Sequence, residues 1–250
     1  IYNADPTNVK AVYLLGRIPI YRSGNIDPDG HGARPFSTDT YYGDISTNTW
    51  TPAPATIPSS LELGVGRVDI SNMPAFGLTE EQMLRNYLNK AHNFKIKQFT
   101  PQNRGLIRDY LSWLTDPLAE QSYRNIAPLV GNNNITTLSC ATCFPDGISF
   151  VNEVSNGYLW SYGAGGGTYV SAAGIGSTSD FVSTPHNGIF NMVVGSFFGN
   201  WDLSVPETNC FLKAPLASGQ ALTNVYAGQP SWWFHHMGMG DEIGYSTKVT

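Results

Sequence analysis

Residues Leu159–Tyr169 read LWSYGAGGGTY, an apolar and aromatic run that stops abruptly in glycines. A run of this kind reads as a buried strand that ends by delivering a loop to the rim of a sheet. The pattern recurs along the chain. VKAVYLLGRIPI (Val9–Ile20) is continuous, β-branched and closed by Gly and Pro, the signature of a buried parallel strand. LELGVGRVDI, RGLIRDYL, ITTLSC, GIFNMVVG and ALTNVYAG are strand-like as well. Between them lie helical stretches. Thr79 with Gln82 fits a capping box, and Glu80 and Glu81 suit the positive end of a helix dipole. Met83, Leu84, Tyr87, Leu88, Ala91 and Phe94 then recur at helical spacing as far as Lys95. A second helix is expected over Ala119–Leu129. Strands interleaved with helices predict an α/β fold with a mostly parallel sheet flanked by helices. In such a sheet, loops at the carboxyl ends of strands form the ligand crevice. GAGGG (Gly163–Gly167) and GSFFGNWD (Gly195–Asp202) are therefore expected on one rim.

Composition narrows the function classes. Charged residues make up 13% of the 250 residues, against roughly a quarter in an average domain, and hydroxyl, amide and aromatic side chains fill the gap. That balance leans towards a secreted or cell-surface protein. The net charge is −5 with scattered Lys and Arg, so nucleic acid and anionic membrane are not expected partners. No apolar run approaches the ~18 residues of a membrane span. The sequence opens at Ile1 with no signal-peptide pattern, and it is expected to be a piece of something longer. Three cysteines are present. Cys140 and Cys143 form a CxxC pair and Cys210 stands apart; a redox pair, half a zinc site, a structural disulfide and buried thiols are all open readings.

Taken in order, several segments resemble the gingipain-type cysteine peptidases, relatives of the caspases. VYLLGRIPI is similar to an early core strand of that domain, and TDTYYGDI to its Asp-Tyr-rich stretch. LELGVGRVDISN and the helix after it resemble the family's Val-Gly-Arg strand and helix. LWSYGAGGGTY sits where the family has a strand ending in Gly-His-Gly, and GIFNMVVGSFFGNWD where a strand delivers the nucleophilic cysteine. FHHMGMGDEIGYS is similar to the strand that closes the domain. The resemblance implies a caspase/gingipain-like sheet, lacking its first strand or strands, in one domain over residues 1–250. The looser part would cover about 1–100 and the core about 101–250. It also implies a Cys–His dyad, in which a thiolate attacks a carbonyl and the histidine manages the proton. On this sequence the family histidine falls on Ala164 and the cysteine within Val194–Ser196, where no Cys stands.

The remaining candidates follow from residue chemistry. Ser196 is the hydroxyl nucleophile at the expected strand end, with His186, His235 or His236 as base and Asp202 or Asp241 as orienter. GSFFG is not a G-x-S-x-G elbow, so the competing reading is a plain strand terminus. Gly163, Gly165, Gly166 and Gly195 are expected to line a binding cleft, to which the aromatic Trp232 and Trp233 are added. DPDGHG carries Asp27 and Asp29 at the spacing of half a calcium loop, with Asp39 or Asp44 to complete it; calcium is the one cofactor suggested. The expectation is a non-catalytic binding, scaffold or assembly module of a larger extracellular protein, with a protein or glycan partner or self-association. The alternative is a secreted hydrolase rebuilt around Ser196.

Overall fold

A computed structural model describes residues 2–27, 32–45, 61–112, 118–138, 149–202, 207–226 and 233–249. The chain divides into two compact units, one of Ile1–Asp69 with Ser231–Thr250 and one of Ile70–Pro230. The boundary therefore falls at Asp69 rather than near residue 100, because the long helix after it packs against the larger sheet.

In the first unit, β1 (Ala11–Leu15), β2 (Tyr21–Ile26), β3 (Arg34–Thr38) and β4 (Gly64–Val68) form two small sheets. β1 and β4 pair in parallel, and β2 and β3 form an antiparallel pair. The strand expected over Val9–Ile20 is only five residues long. Gly16, at a φ of +79°, turns the chain while its N–H still bonds Val68. It is also less buried than expected, with Tyr13 52% exposed. The helix Ile243–Val249 packs on β4. The segment expected to close the domain as a strand instead forms a 3₁₀ turn, His235–Met239, followed by this helix. Local bonding decides it: His236 Nδ1 lies 3.0 Å from the Trp233 carbonyl, and Asp241 N–H reaches the His236 carbonyl. The two histidine rings consequently lie 4.1 Å apart rather than on opposite strand faces.

The second unit carries the main sheet. Its strands are β5 (Gly105–Asp109), β6 (Ile135–Thr137), β7 (Tyr158–Ala164), β11 (Gly188–Val194) and β12 (Thr223–Tyr226). All pair in parallel in the order β12-β11-β7-β5-β6. Between β7 and β11, three short strands, β8 (Gly167–Thr168), β9 (Ser171–Ala172) and β10 (Gly176–Ser177), form an antiparallel patch. The helices are α1 (Glu80–Lys95), α2 (Leu118–Val130), α3 (Phe150–Val154), α4 (Thr178–Ser183) and α5 (Ala214–Ala217). α1 begins with the expected capping box: Gln82 N–H donates to Thr79 Oγ1, and Thr79 N–H donates to Gln82 Oε1. Its buried line is narrower than the sequence period suggests, with Met83 and Tyr87 covered and Leu88 exposed. Tyr87 donates its hydroxyl to the Leu222 carbonyl, and Phe94 meets Phe190 of β11 edge-on, which ties α1 to this sheet.

The core is aromatic, with Tyr158, Trp160 and Tyr162 of β7 all buried. A row of amides and hydroxyls crosses it. Ser161 Oγ donates to Asn191 Oδ1 at 2.6 Å, Asn191 Nδ2 to Asn224 Oδ1 at 2.6 Å, and Asn224 Nδ2 to the Leu212 carbonyl at 2.6 Å. Ser161, Asn191 and Asn224 are register partners on β7, β11 and β12. The row satisfies its own buried polar atoms and admits only one alignment of the three strands.

Candidate functional site at the carboxyl edge of the sheet

The tips of β7 and β11 are neighbours, with Ala164 in register with Val194. GAGGG and GSFFGNWD leave the same edge, as expected. They pack backbone on backbone: Gly165 N–H donates to the Val194 carbonyl at 3.0 Å. A β-carbon on Gly167 would stand 2.2 Å from the Ser196 carbonyl oxygen, and one on Gly195 would stand 2.4 Å from that of Gly165. Glycine is required here by close approach and not for anion binding, since the Gly165 amide is already spent on β11. Gly163 lies against Ile175, and only Gly166 of the loop is exposed.

Ala164 is fully buried and offers a methyl group. Ser196 is half-buried on the rim. After it, Phe198 N–H bonds back to the Ser196 carbonyl at 2.9 Å across Phe197, whose φ is +68°. This is a γ-turn of the strained, positive-φ kind, costly for a bulky residue. It throws the Phe197 ring outward, 66% exposed. Nothing in the composition of GSFFG signals that turn.

The structure does not bring the proposed bases to Ser196 within this unit. His186 precedes β11 whereas Ser196 follows it. A seven-residue strand at about 3.3 Å per residue separates them by about 20 Å. His186 is fully buried, and burial followed by the nearby Lys90 charge lowers its pKa to about 3. His92, on the last turn of α1, is exposed. His235, His236, Trp233 and Asp241 belong to the other unit. Asp202 lies on the same rim loop as Ser196, half-buried. Trp232, Asp29, Cys140 and Cys143 lie outside the described residues.

Cys210 sits behind the rim loop, buried, with its Sγ 3.3 Å from the Phe198 carbonyl. Burial pushes its thiol up, away from the thiolate needed for attack. The Tyr169 phenol is likewise pushed up, by burial and then by Cys210 beside it. Sequence reasoning missed Asp109, which ends β5 in register with Ala164. Its two oxygens accept from the N–H groups of Leu111 and Ala119, so this buried carboxylate caps the start of α2 rather than facing the cleft.

Of the calcium candidates, Asp27, Asp39 and Asp44 lie among the described residues. Asp39 gives both carboxylate oxygens to Arg67, through Nε at 3.0 and 2.9 Å and Nη2 at 2.8 Å, while Arg67 also holds the Ile18 and Pro19 carbonyls. Asp27 is exposed and accepts the Gly32 N–H. Among the described residues, no group of three or more His, Cys, Asp or Glu gathers as a metal would require. Asp39→Ala is expected to destabilise the first unit by about 3 kcal/mol, because it strands a buried guanidinium. The loss should be equal with and without added calcium in urea denaturation followed by hydrogen exchange. A loss confined to calcium-containing buffer would return Asp39 to the ligand role.

Two solved structures are similar to this chain in fold. The crystal structure of the Arg-specific cysteine proteinase gingipain R superposes with a TM-score of 0.61 over 93% of this chain, at 15% identity. The fold is gingipain-like. A complex of the Porphyromonas gingivalis RgpB pro- and mature domains matches with a TM-score of 0.58 at 14% identity, again over 93% of this chain. The chain spans about half the length of both gingipain structures, 51% and 52%. No protein-family model matches the sequence, and no curated protein matches it either. At this identity the gingipain likeness concerns the fold alone. It is the fold that the order of segments in the sequence implied. Among the described residues no helix is long and apolar enough to cross a membrane.

Proposed function

We propose that this gingipain-like chain does not carry out thiol-peptidase chemistry and works as a binding, scaffold or assembly module of a larger extracellular protein. The carrying observation is the pair of neighbouring strand tips, where the buried methyl of Ala164 stands beside the Val194–Ser196 turn. A nucleophile at this edge needs a base within about 3 Å. The described histidines of the sheet unit are His186, at the opposite edge, and His92 on the exposed face of α1. The two loops are filled by each other's backbone, which suits a rigid presenting surface with Phe197 at its tip. The low-charge, hydroxyl-rich composition supports an extracellular setting. A protein or glycan surface, or a second copy of the chain, is the expected partner.

Labelling tests this directly. The native protein is expected to give no Ser196 adduct with a fluorophosphonate, and Cys210 should react with iodoacetamide only after denaturation, at least about tenfold faster than before. It should cleave no peptide, arginine-containing ones included. A Ser196 adduct that disappears in Ser196→Ala, or peptide turnover, would establish the hydrolase reading instead. Binding is then sought by glycan array and by sedimentation for self-association.

A further inference from the structure

At the amino ends of the strands, opposite the candidate site, one segment is held by a set of buried and part-buried polar contacts. Lys90 of α1 donates its ammonium to the carbonyls of Leu216 and Ser218 at 2.8 and 2.9 Å. Ser218 Oγ donates to the Phe181 carbonyl and accepts the His186 N–H; Gln220 N–H reaches the His186 carbonyl. Leu222 bonds Ile189 and Tyr87, and Asn224 closes the polar row to β11. The His186 ring lies between Phe150 and Phe181, with centroids at 6.4 and 5.1 Å. Its Nδ1 accepts the Gly188 N–H at 3.3 Å, which puts the ring proton of the neutral form on Nε2, fully buried and without a partner.

Protonation cannot be accommodated there. It would turn Nδ1 into a donor facing the Gly188 N–H, at the first residue of β11, and place a cation between two phenyl rings. His186 is fully buried, so the added charge would have no water beside it. The surrounding charges offer no relief. Lys90, whose pKa burial lowers to about 7, is cationic below that pH. Glu153 of α3 is bonded to Tyr158, and Asp180 of α4 is spent on its own helix cap. β7 and β11 contribute Ser161 and Asn191, and the α5 side contributes Ser218, all uncharged.

We infer that residues Leu216–Tyr226, including edge strand β12, form an acid-releasable flap whose trigger is His186. The folded pKa lies below the unfolded value near 6.5, so the closing energy is complete above about pH 6.5 and is lost as pH falls towards 3. Release would uncover the edge of β11.

Hydrogen exchange of the whole chain, corrected for intrinsic rates, tests this between about pH 7.5 and 4.5. Opening of Leu216–Tyr226 is expected to rise up to about tenfold per pH unit below 6.5, while β5 and β7 stay protected. In His186→Phe the slope should vanish. Because that variant must first fold, the wild-type imidazole is also titrated by NMR, and His186 should remain neutral to about pH 4. A flat profile, loss spread evenly over both units, a slope surviving in His186→Phe, or an ordinary imidazole titration would each overturn the assignment.

Discussion

Gly165→Ala is expected to destabilise the sheet unit by about 3 kcal/mol or more, lowering its melting temperature by roughly 6–12 °C. The added β-carbon would stand 2.0 Å from the Ala173 carbonyl oxygen and 3.1 Å from its carbon, both backbone atoms that no rotamer change can move. Ala173 in turn donates to the Gly166 carbonyl, and Gly165 to that of Val194, so the clash would spread into both rim loops. Gly166→Ala is the matched control. Nothing lies within 4 Å of the place its β-carbon would take, and its effect should stay below about 1 kcal/mol. Thermal unfolding of the two variants decides the matter. Equal effects would mean that the rim is not the rigid, backbone-filled surface on which the binding-module reading depends.

The second large effect is expected at Asn191. Replacement by Leu keeps roughly the same volume but removes both bonds in the middle of the polar row, leaving Ser161 Oγ without its acceptor and Asn224 Oδ1 without its donor. Stranding the buried Ser161 hydroxyl and the half-buried Asn224 amide oxygen, at about 1–3 kcal/mol each, puts the cost near 3 kcal/mol. The loss should be felt first in β12, which the row holds in register, and hydrogen exchange should show Thr223–Tyr226 losing protection ahead of β7. A Ser161→Ala, Asn191→Leu double variant should recover part of the loss, because it removes the stranded hydroxyl and leaves only Asn224 Oδ1 without its partner. A cost under about 1 kcal/mol, or additive single effects, would show that apolar packing alone fixes the strand alignment.

Local chemistry was readable wherever a residue acts on its near neighbours. The Thr79–Gln82 capping box formed as its spacing required, and the runs ending in Gly163 and Gly195 became adjacent strands delivering loops to one edge. The helical period of α1 was also visible, but it placed Leu88 on the covered face, where the structure leaves it exposed. Hydrophobic spacing cannot report that Lys90 sends its ammonium to two carbonyls more than a hundred residues away. In the sequence Asp39 reads only as one of two acids that could complete a calcium loop. Its guanidinium partner, Arg67, lies on β4, and that pairing is set only by the folding of the first unit.

The amino-acid sequence alone determined that this chain builds a parallel α/β sheet with two glycine-bounded loops on one rim, with Ala164 at the tip of one strand and Ser196 just past the tip of its neighbour. Those properties follow from covalent order: side-chain period, turn residues and the identity of each position. Tertiary structure decided the order in which the strands pair, the return of the chain end to the first unit as a turn and helix, and the placing of His186 at the far edge from Ser196. The stretch between those two residues is one strand and its ends. A strand is extended, so closeness in sequence there becomes distance in space.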